Sequence, residues 1–381
     1  MEKKFNLDFI KRLNPRTYTM LFALIVLAIL LQIQTEGLFL NSRNLSNLFR
    51  AMSITGVITV GMSMLIVSGN FDLSVGSVVG LSGGVAAILQ VHYGFGTITV
   101  ILAAIVCGIL VGIWQGFWVA YRKVPSFIVT LGGMLIFRGI YLLLTDGRTV
   151  GPLDESFVAL AQSFIPAITG SIIGAFLSLI IVTLIFIKRF SRKKYGFDNP
   201  PLWVDIAKSI AAALLMGLFV YMMNGFRGIP VPVLVLVFLI AIFIFVSGRT
   251  RFGRNIYAIG GNKEAARLSG INIEFNVFIM YIITGVLAAI SGILLTGRLD
   301  GAAPSAGMSY ELDVISACVI GGTSLSGGKG TTFGVVIGAL IIASLDNGMG
   351  LMNFPHNYQN IVKGLVLIVA VWFDVRSQHN R

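Results

Sequence analysis

Long apolar runs, separated by short polar or basic segments, make up most of this chain. A helix that crosses a membrane needs roughly 20 mostly apolar residues. The pattern predicts twelve candidate spans, at residues 17–34, 51–69, 73–91, 97–121, 125–145, 165–187, 206–223, 230–247, 275–297, 311–323, 330–349 and 357–373. Because 73–91 and 311–323 are rich in Gly and Ser, we expect these two to be short, broken or re-entrant.

Composition agrees with a membrane protein. Of 381 residues, 56% are hydrophobic and only 12% are charged, against about 25% charged in a typical soluble domain. A soluble fold could not bury so much apolar surface, which excludes a cytosolic enzyme and a disordered tail. The sequence therefore predicts an all-α integral membrane protein, a polytopic helical bundle of about 12 transmembrane helices in one domain over residues 1–381. The 2 Cys and 3 His are far apart along the chain, so we expect no metal site.

The charge pattern predicts the orientation of the chain. There are 28 Lys+Arg against 16 Asp+Glu, which gives a net charge of +12. If the N-terminus is cytosolic, most basic residues fall on the cytosolic side, in clusters at 3–16, 122–123, 188–194 and 249–267. This positive-inside pattern predicts that both termini are cytosolic. Because the clusters flank spans, no nucleic-acid partner is expected.

The predicted span centres carry almost no charge. Arg138 is the deepest exception, and we expect it to have a structural role inside the membrane. Asp72, Asp313, Asp346 and Lys363 fall near predicted span ends or turns. Proton- or sodium-coupled carriers usually keep carboxylates at mid-membrane depth. The pattern therefore favours an energy source outside the membrane.

One predicted cytosolic loop, residues 248–274, carries helix signals. Asn262 can cap a helix, and Gly270 is a natural stop. Glu264 would lie in the first turn, where a negative charge interacts favourably with the helix dipole. A helix this short is unstable alone in water, so it must dock on something. The apolar face offered for docking would consist of Ala265, Ala266 and Leu268. The alternative interpretation is an ordinary interfacial loop helix.

The segment 260–271 (GGNKEAARLSGI) resembles the coupling loop of ATP-binding-cassette importer permeases of the ribose/xylose/galactose family. Several other segments resemble this family in the same order, namely 44–48, 72–77, 124–131, 137–139, 320–328 and 344–348. The resemblance implies a non-enzymatic transport subunit that binds no cofactor, because ATP would be used by a separate ATPase. It assigns ATPase coupling to Gly261, Asn262, Lys263, Glu264, Ala265, Ala266, Arg267 and Leu268.

Within that family, an additional section of two spans, here about 165–225, is typical of xylose permeases. The resemblance thus implies a monosaccharide importer, for a pentose such as xylose, in the bacterial inner membrane. The implied partners are a cytosolic ATPase, a second copy of the chain, and a periplasmic or lipid-anchored sugar-binding protein that reaches the loops 146–164 and 298–310. One departure from the xylose permeases is Asn70-Phe71, where they have an acidic and an apolar residue.

Two Gly/Ser-rich breaks, at 68–84 and 320–332, interrupt apolar runs. Unwound backbone is tolerated in a membrane only where protein or a water-filled cavity covers it, and a sugar needs neutral hydrogen-bonding groups. Both breaks fall on the predicted cytosolic side, which favours a lower gate. The candidate path or gate residues are Asn70, Asp72, Ser74, Ser77, Thr323, Ser324, Ser326 and Asn347. The alternative is that these small residues only allow close helix packing.

Other function classes have weaker support. A stand-alone, ion-coupled sugar carrier would need mid-span carboxylates that the pattern does not offer. The segment 327–330 lacks the spacing of a phosphate-binding loop. The segment 80–83 matches the serine motif of an intramembrane protease, but no predicted span core supplies a histidine base. We therefore expect no enzymatic activity.

Overall fold

The computed structural model describes residues 15–197 and 199–379, so residues 3–14 of the predicted N-terminal basic cluster lie outside the described residues. Helices form most of the described chain, and two short strands, β1 (Phe164–Ile165) and β2 (Ile229–Pro230), pair antiparallel. The helices are α1 (Pro15–Gln34), α2 (Ser42–Val67), α3 (Val75–Val91), α4 (Thr97–Gly116, continued by a π-helical turn Phe117–Tyr121), α5 (Ser126–Leu144), α6 (Glu155–Gln162), α7 (Ala167–Lys194), α8 (Leu202–Asn224), α9 (Val231–Arg249), α10 (Arg251–Gly261), α11 (Lys263–Leu268), α12 (Ile273–Leu299), α13 (Tyr310–Ile320), α14 (Thr332–Leu351) and α15 (His356–His379).

Eight helices in the described residues are long and apolar enough to cross a membrane, namely α2, α4 with its π-turn, α5, α7, α8, α9, α12 and α14. Two shorter apolar helices, Thr19–Gln34 within α1 and Val75–Val91, add to them. The prediction of a helical, multi-span membrane protein is confirmed. Helix α13 has 11 residues, which is about 16 Å at 1.5 Å per residue and too short for a full crossing. The predicted break in the span 311–323 is therefore a half-helix.

The additional section of the chain folds as two long helices that pack on each other, α7 and α8. Both expose apolar side chains over most of their length, as helices in contact with lipid do. At one end, the Arg189 guanidinium forms a salt bridge with Asp205 at 2.5 Å. The two spans predicted at 165–187 and 206–223 thus correspond to α7 and α8, and their status as an addition to the family fold stays a prediction.

The central helices form two groups of four that pack in the same way. Helix α12 packs on α3 and α4, as α2 packs on α13 and α14. Helix α3 packs on α4 and α5, as α13 packs on α14 and α15. Helix α2 ends at the side where α10 and α11 lie, whereas α12 begins there, so the two groups run in opposite directions. This is the arrangement of an inverted repeat.

The sequence carries a trace of this repeat that the sequence analysis missed. Residues 71–77 read FDLSVGS and residues 310–316 read YELDVIS. Leu, Val and Ser recur at equal positions, and the first two positions are an aromatic residue followed by a carboxylate in both segments. The repeat relates the break before α3 to the start of α13, rather than to the break at 320–332.

The segment 300–309, expected as an outer loop, instead folds into the helix bundle. The Arg138 guanidinium donates to the carbonyl oxygens of Pro304 at 3.2 Å and Ala306 at 2.8 Å. The Tyr141 hydroxyl donates to the Ala303 oxygen at 2.5 Å. Gly307, with φ of +70°, meets Gly76 so closely that a Cβ on either would overlap the other's carbonyl oxygen. The structure therefore gives Arg138 its structural partners.

Candidate functional site

The predicted short helix in the loop 248–274 is present as α11. The Asn262 side chain caps it by accepting a hydrogen bond from the Ala265 amide at 2.9 Å. Gly270 follows with φ of +79°, a left-handed conformation that ends helices. Helix α10 precedes α11, and the Thr250 hydroxyl oxygen caps it by accepting from the Gly253 amide at 3.1 Å. The expected helix, its cap and its stop are confirmed.

The side chains of α11 divide between two directions. Ala266 is buried against the protein, whereas Ala265 is exposed and Leu268 is 88% exposed. The expectation that these three share one docking face is therefore wrong, because Ala266 anchors the helix on its own chain. Arg267 lies 3.4 Å from Glu274 and 3.9 Å from Glu264, in exposed salt bridges that contribute little stability.

A tight junction joins α10 to the membrane helices. The Gly328 amide donates to the Val67 carbonyl oxygen at 2.8 Å. A Cβ on Gly260 would overlap that oxygen and lie 2.6 Å from the Gly328 nitrogen. The Tyr257 hydroxyl donates to the Gly330 oxygen at 2.9 Å, and burial raises the pKa of Tyr257. We call these contacts the α10 junction. It connects α10 to the end of α2 and to the segment between α13 and α14.

The predicted path residues before α3 are bonded among themselves. The Asp72 carboxylate accepts from the Ser74 amide at 2.8 Å and from its hydroxyl at 2.7 Å. Gln115 donates to the same hydroxyl oxygen, and the Tyr281 hydroxyl donates to the Phe71 oxygen at 2.9 Å. All four of these polar side chains are buried. The break is closed on the α10 side in this structure.

The remaining predicted path residues lie in three places. The Asn70 amide donates to the Ser68 hydroxyl at 3.0 Å, and Ser77 donates to the Met134 oxygen at 2.9 Å. Ser326, in the segment between α13 and α14, is exposed, whereas two neighbouring predicted residues, Thr323 and Ser324, are buried. Asn347 lies apart from these, on α14 near the start of α2. The structure does not bring the predicted set together, and their roles in transport remain predictions.

Asn347 belongs to a polar cluster at the start of α2 and the end of α14, on the side opposite α10. Its amide exchanges two hydrogen bonds with Asn44, at 2.8 and 2.9 Å. The Lys363 ammonium lies 2.9 Å from Asp313 and 2.8 Å from Asp346. These three charged groups were expected near span ends or turns. Asp313 does lie in the first turn of α13 and Asp346 lies near the end of α14, and with Lys363 they pair across α13, α14 and α15.

A cavity of about 250 Å³ adjoins this cluster between α2, α12, α13 and α14. Sequence reasoning missed it because its wall comes from four separate helices. The repeat is the signal that could have found it, since Tyr310 and Asp313 are the counterparts of Phe71 and Ser74. The polar lining includes Asn47, Thr55, Arg298, Tyr310, Asp313, Asp346 and Asn347.

Comparison with known proteins identifies the class. Residues 44–371 match the model of the family described as "Branched-chain amino acid transport system / permease component". The chain belongs to this permease family. No solved structure matches the chain.

Curated relatives of this permease cover nearly its whole length. It is 48% identical to the xylose transport system permease protein of Haemophilus influenzae, over 97% of this chain and 98% of that protein. It is 47% identical to the xylose transport system permease protein of Escherichia coli K12, over 96% of this chain and 93% of that protein. The ribose import permease protein of Escherichia coli K12 is 34% identical over 94% of this chain and 93% of its own length. The chain is thus a transport subunit and a multi-pass protein of the bacterial inner membrane, rather than an enzyme.

Proposed function

We propose that this permease is the transmembrane subunit of an ATP-driven, binding-protein-dependent xylose importer. The observation that carries the proposal is near full-length similarity, at 47–48% identity, to two xylose transport system permease proteins. The additional helices α7 and α8 fit this assignment. ATP hydrolysis belongs to a separate ATPase subunit, and this chain binds no cofactor of its own.

The orientation in this proposal places α10 and α11 in the cytosol. If the chain crosses the membrane about twelve times and both termini are cytosolic, the basic clusters at 122–123, 188–194 and 249–267 all lie on the cytosolic side. This is the side that positive residues favour. Two copies of the chain pair in the membrane. A sugar-binding protein docks on the opposite side, at the segment 146–164 rather than at 300–309, which is largely enclosed by the bundle.

The ATPase binds the exposed surface of α11. An apolar side chain that is 88% exposed, as Leu268 is, gains from contact with a partner. Motion of α11 reaches the membrane through the α10 junction, which contacts the end of α2 and the segment after α13. Coupling then follows if the ATPase binds one arrangement of these helices more tightly than the other.

Charge reversal on α11 tests the partner assignment. Glu264→Lys combined with Arg267→Glu should abolish co-purification with the ATPase, because both side chains are exposed. The matched control is Glu155→Lys with Arg148→Glu, an exposed pair on the opposite side, which should leave the complex of permease and ATPase intact. Assembly of the α11 variant at the wild-type level would contradict the assignment.

An ion-coupled carrier working alone is the competing function. Asp313 and Asp346 do lie inside the bundle, but both form salt bridges with Lys363. A carboxylate that is paired with a lysine ammonium is poorly suited to bind a proton or sodium ion. The nearby positive charge favours the ionised carboxylate and already occupies its oxygens. The structure thus adds no support for ion coupling.

A further inference from the structure

The cavity beside Lys363 presents polar groups on several of its sides. Helix α2 contributes Asn47 and Thr55, which lie two helical turns apart on one face with Ala51 between them. Ala51 is small and leaves space at the centre of that face. Tyr310 and Asn347 lie on other helices of the wall. Amide, hydroxyl and phenol groups each donate and accept hydrogen bonds, as a ligand with many hydroxyls requires.

The charges around the cavity balance. Asp313 and Asp346 contribute two negative charges, and Lys363 bridges both with one positive charge. Arg298, also in the lining, supplies the second positive charge. The sum of +2 and −2 is zero. Such a site has no net preference for a cation or an anion, so its charge suits a neutral ligand.

The volume limits the size of that ligand. About 250 Å³ lies just below the range of about 300–1,000 Å³ that is usual for drug-sized ligands. A single sugar ring with its hydroxyls fits this size better than a disaccharide does. The Asn44–Asn347 amide pair fixes the outer ends of α2 and α14, so the wall is held in place before a ligand arrives.

The inverted repeat supplies an independent comparison. On the α10 side, the equivalent position is filled, because Gln115 bonds Ser74 and Tyr281 bonds Phe71. On the opposite side, the counterparts of Phe71 and Ser74, which are Tyr310 and Asp313, line the cavity, and Asp313 also binds Lys363. One half of the repeat is closed and the other is open.

From this geometry we infer that the cavity between α2, α12, α13 and α14 is a binding site for one neutral polyhydroxylated ring, a monosaccharide, entering from the side opposite α10. The inference rests on the proposed function for the identity of the sugar, and it assigns the residues that hold it. Asn47, Thr55 and Asn347 donate to and accept from ring hydroxyls. The Asp313–Lys363–Asp346 cluster holds α13, α14 and α15 around the site.

Protection from a thiol reagent tests this assignment in the complete importer, reconstituted in proteoliposomes. Thr55→Cys is introduced together with Cys107→Ser, which removes a partly exposed native thiol. The other native cysteine, Cys318, is kept because it is fully buried. D-xylose should slow modification of the new thiol by a small methanethiosulfonate, whereas glycine betaine at equal osmolality should not. Thr149→Cys, exposed on the same side, is the matched control and should react equally with and without xylose.

A second variant tests whether protection by xylose depends on a polar side chain of the cavity. Asn47→Leu in the Thr55→Cys background should raise the xylose concentration for half-protection about fivefold, the effect of one lost hydrogen bond.

ATP-driven xylose uptake by the wild type is measured in parallel as the test of the proposed function. If uptake is normal but xylose protects Thr55→Cys no better than betaine, the site is wrong and the proposed function stands. If ribose but not xylose protects and is taken up, the site stands and the xylose assignment fails.

Discussion

Gly260 and Gly261 are neighbours at the end of α10 that differ sharply in their surroundings. A Cβ on Gly260 would overlap the Val67 oxygen and press on the Gly328 nitrogen, both of which are backbone atoms. A Cβ on Gly261 would meet nothing within 4 Å. Replacing each by alanine therefore compares the same chemical change with and without the α10 junction.

The expected magnitudes follow from this contrast. Gly260→Ala should destabilise the protein by about 1–3 kcal/mol, because overpacking against atoms that cannot rotate away costs this much. Gly261→Ala should be neutral or stabilising by about 0.5–1 kcal/mol, since alanine favours the helix over glycine. Unfolding of both variants in detergent, followed by circular dichroism against the wild type, measures the difference. Equal stability of the two variants would refute the described packing of α10 on α2.

Three further substitutions test other contacts of the fold. Arg138→Met removes two charge-assisted hydrogen bonds, each of about 1.5–3 kcal/mol, and should speed thiol labelling of Ala306→Cys, a buried position. Unchanged labelling would contradict the role of Arg138 in holding 300–309. Lys363→Met removes the ammonium shared by two carboxylates and should lower stability by about 3–5 kcal/mol, whereas Lys363→Arg should restore part of the loss. A Lys363→Met variant as stable as the wild type would contradict the described cluster. Leu268→Asp should change stability by less than about 0.5 kcal/mol yet weaken ATPase co-purification, and loss of folding would show that Leu268 is not the exposed side chain described.

The spans were predictable because hydropathy and length are local properties of the sequence. The runs 97–121, 125–145 and 275–297 correspond closely to α4 with its π-turn, α5 and α12. The short α11 was predictable for a similar reason, since the Asn262 cap and the Gly270 stop act on their immediate neighbours.

Features that depend on distant partners were not predictable in this way. The segment 300–309 is polar and small like a surface loop, and its burial depends on Arg138 and Tyr141, more than 150 residues earlier. The direction of Ala266 depends on what α11 packs against, not on its own pattern. Lys363 meets its two carboxylates only because α13, α14 and α15 come together.

The central claim, that this permease works with an ATPase to import xylose, is tested most directly by radiolabelled xylose uptake. Proteoliposomes hold the permease with or without the ATPase, the sugar-binding protein is added outside, and ionophores collapse all ion gradients. The account predicts uptake only when the ATPase is present and supplied with ATP. In a second set of vesicles, without the ATPase and without ionophores, xylose uptake driven by an imposed proton or sodium gradient would contradict it.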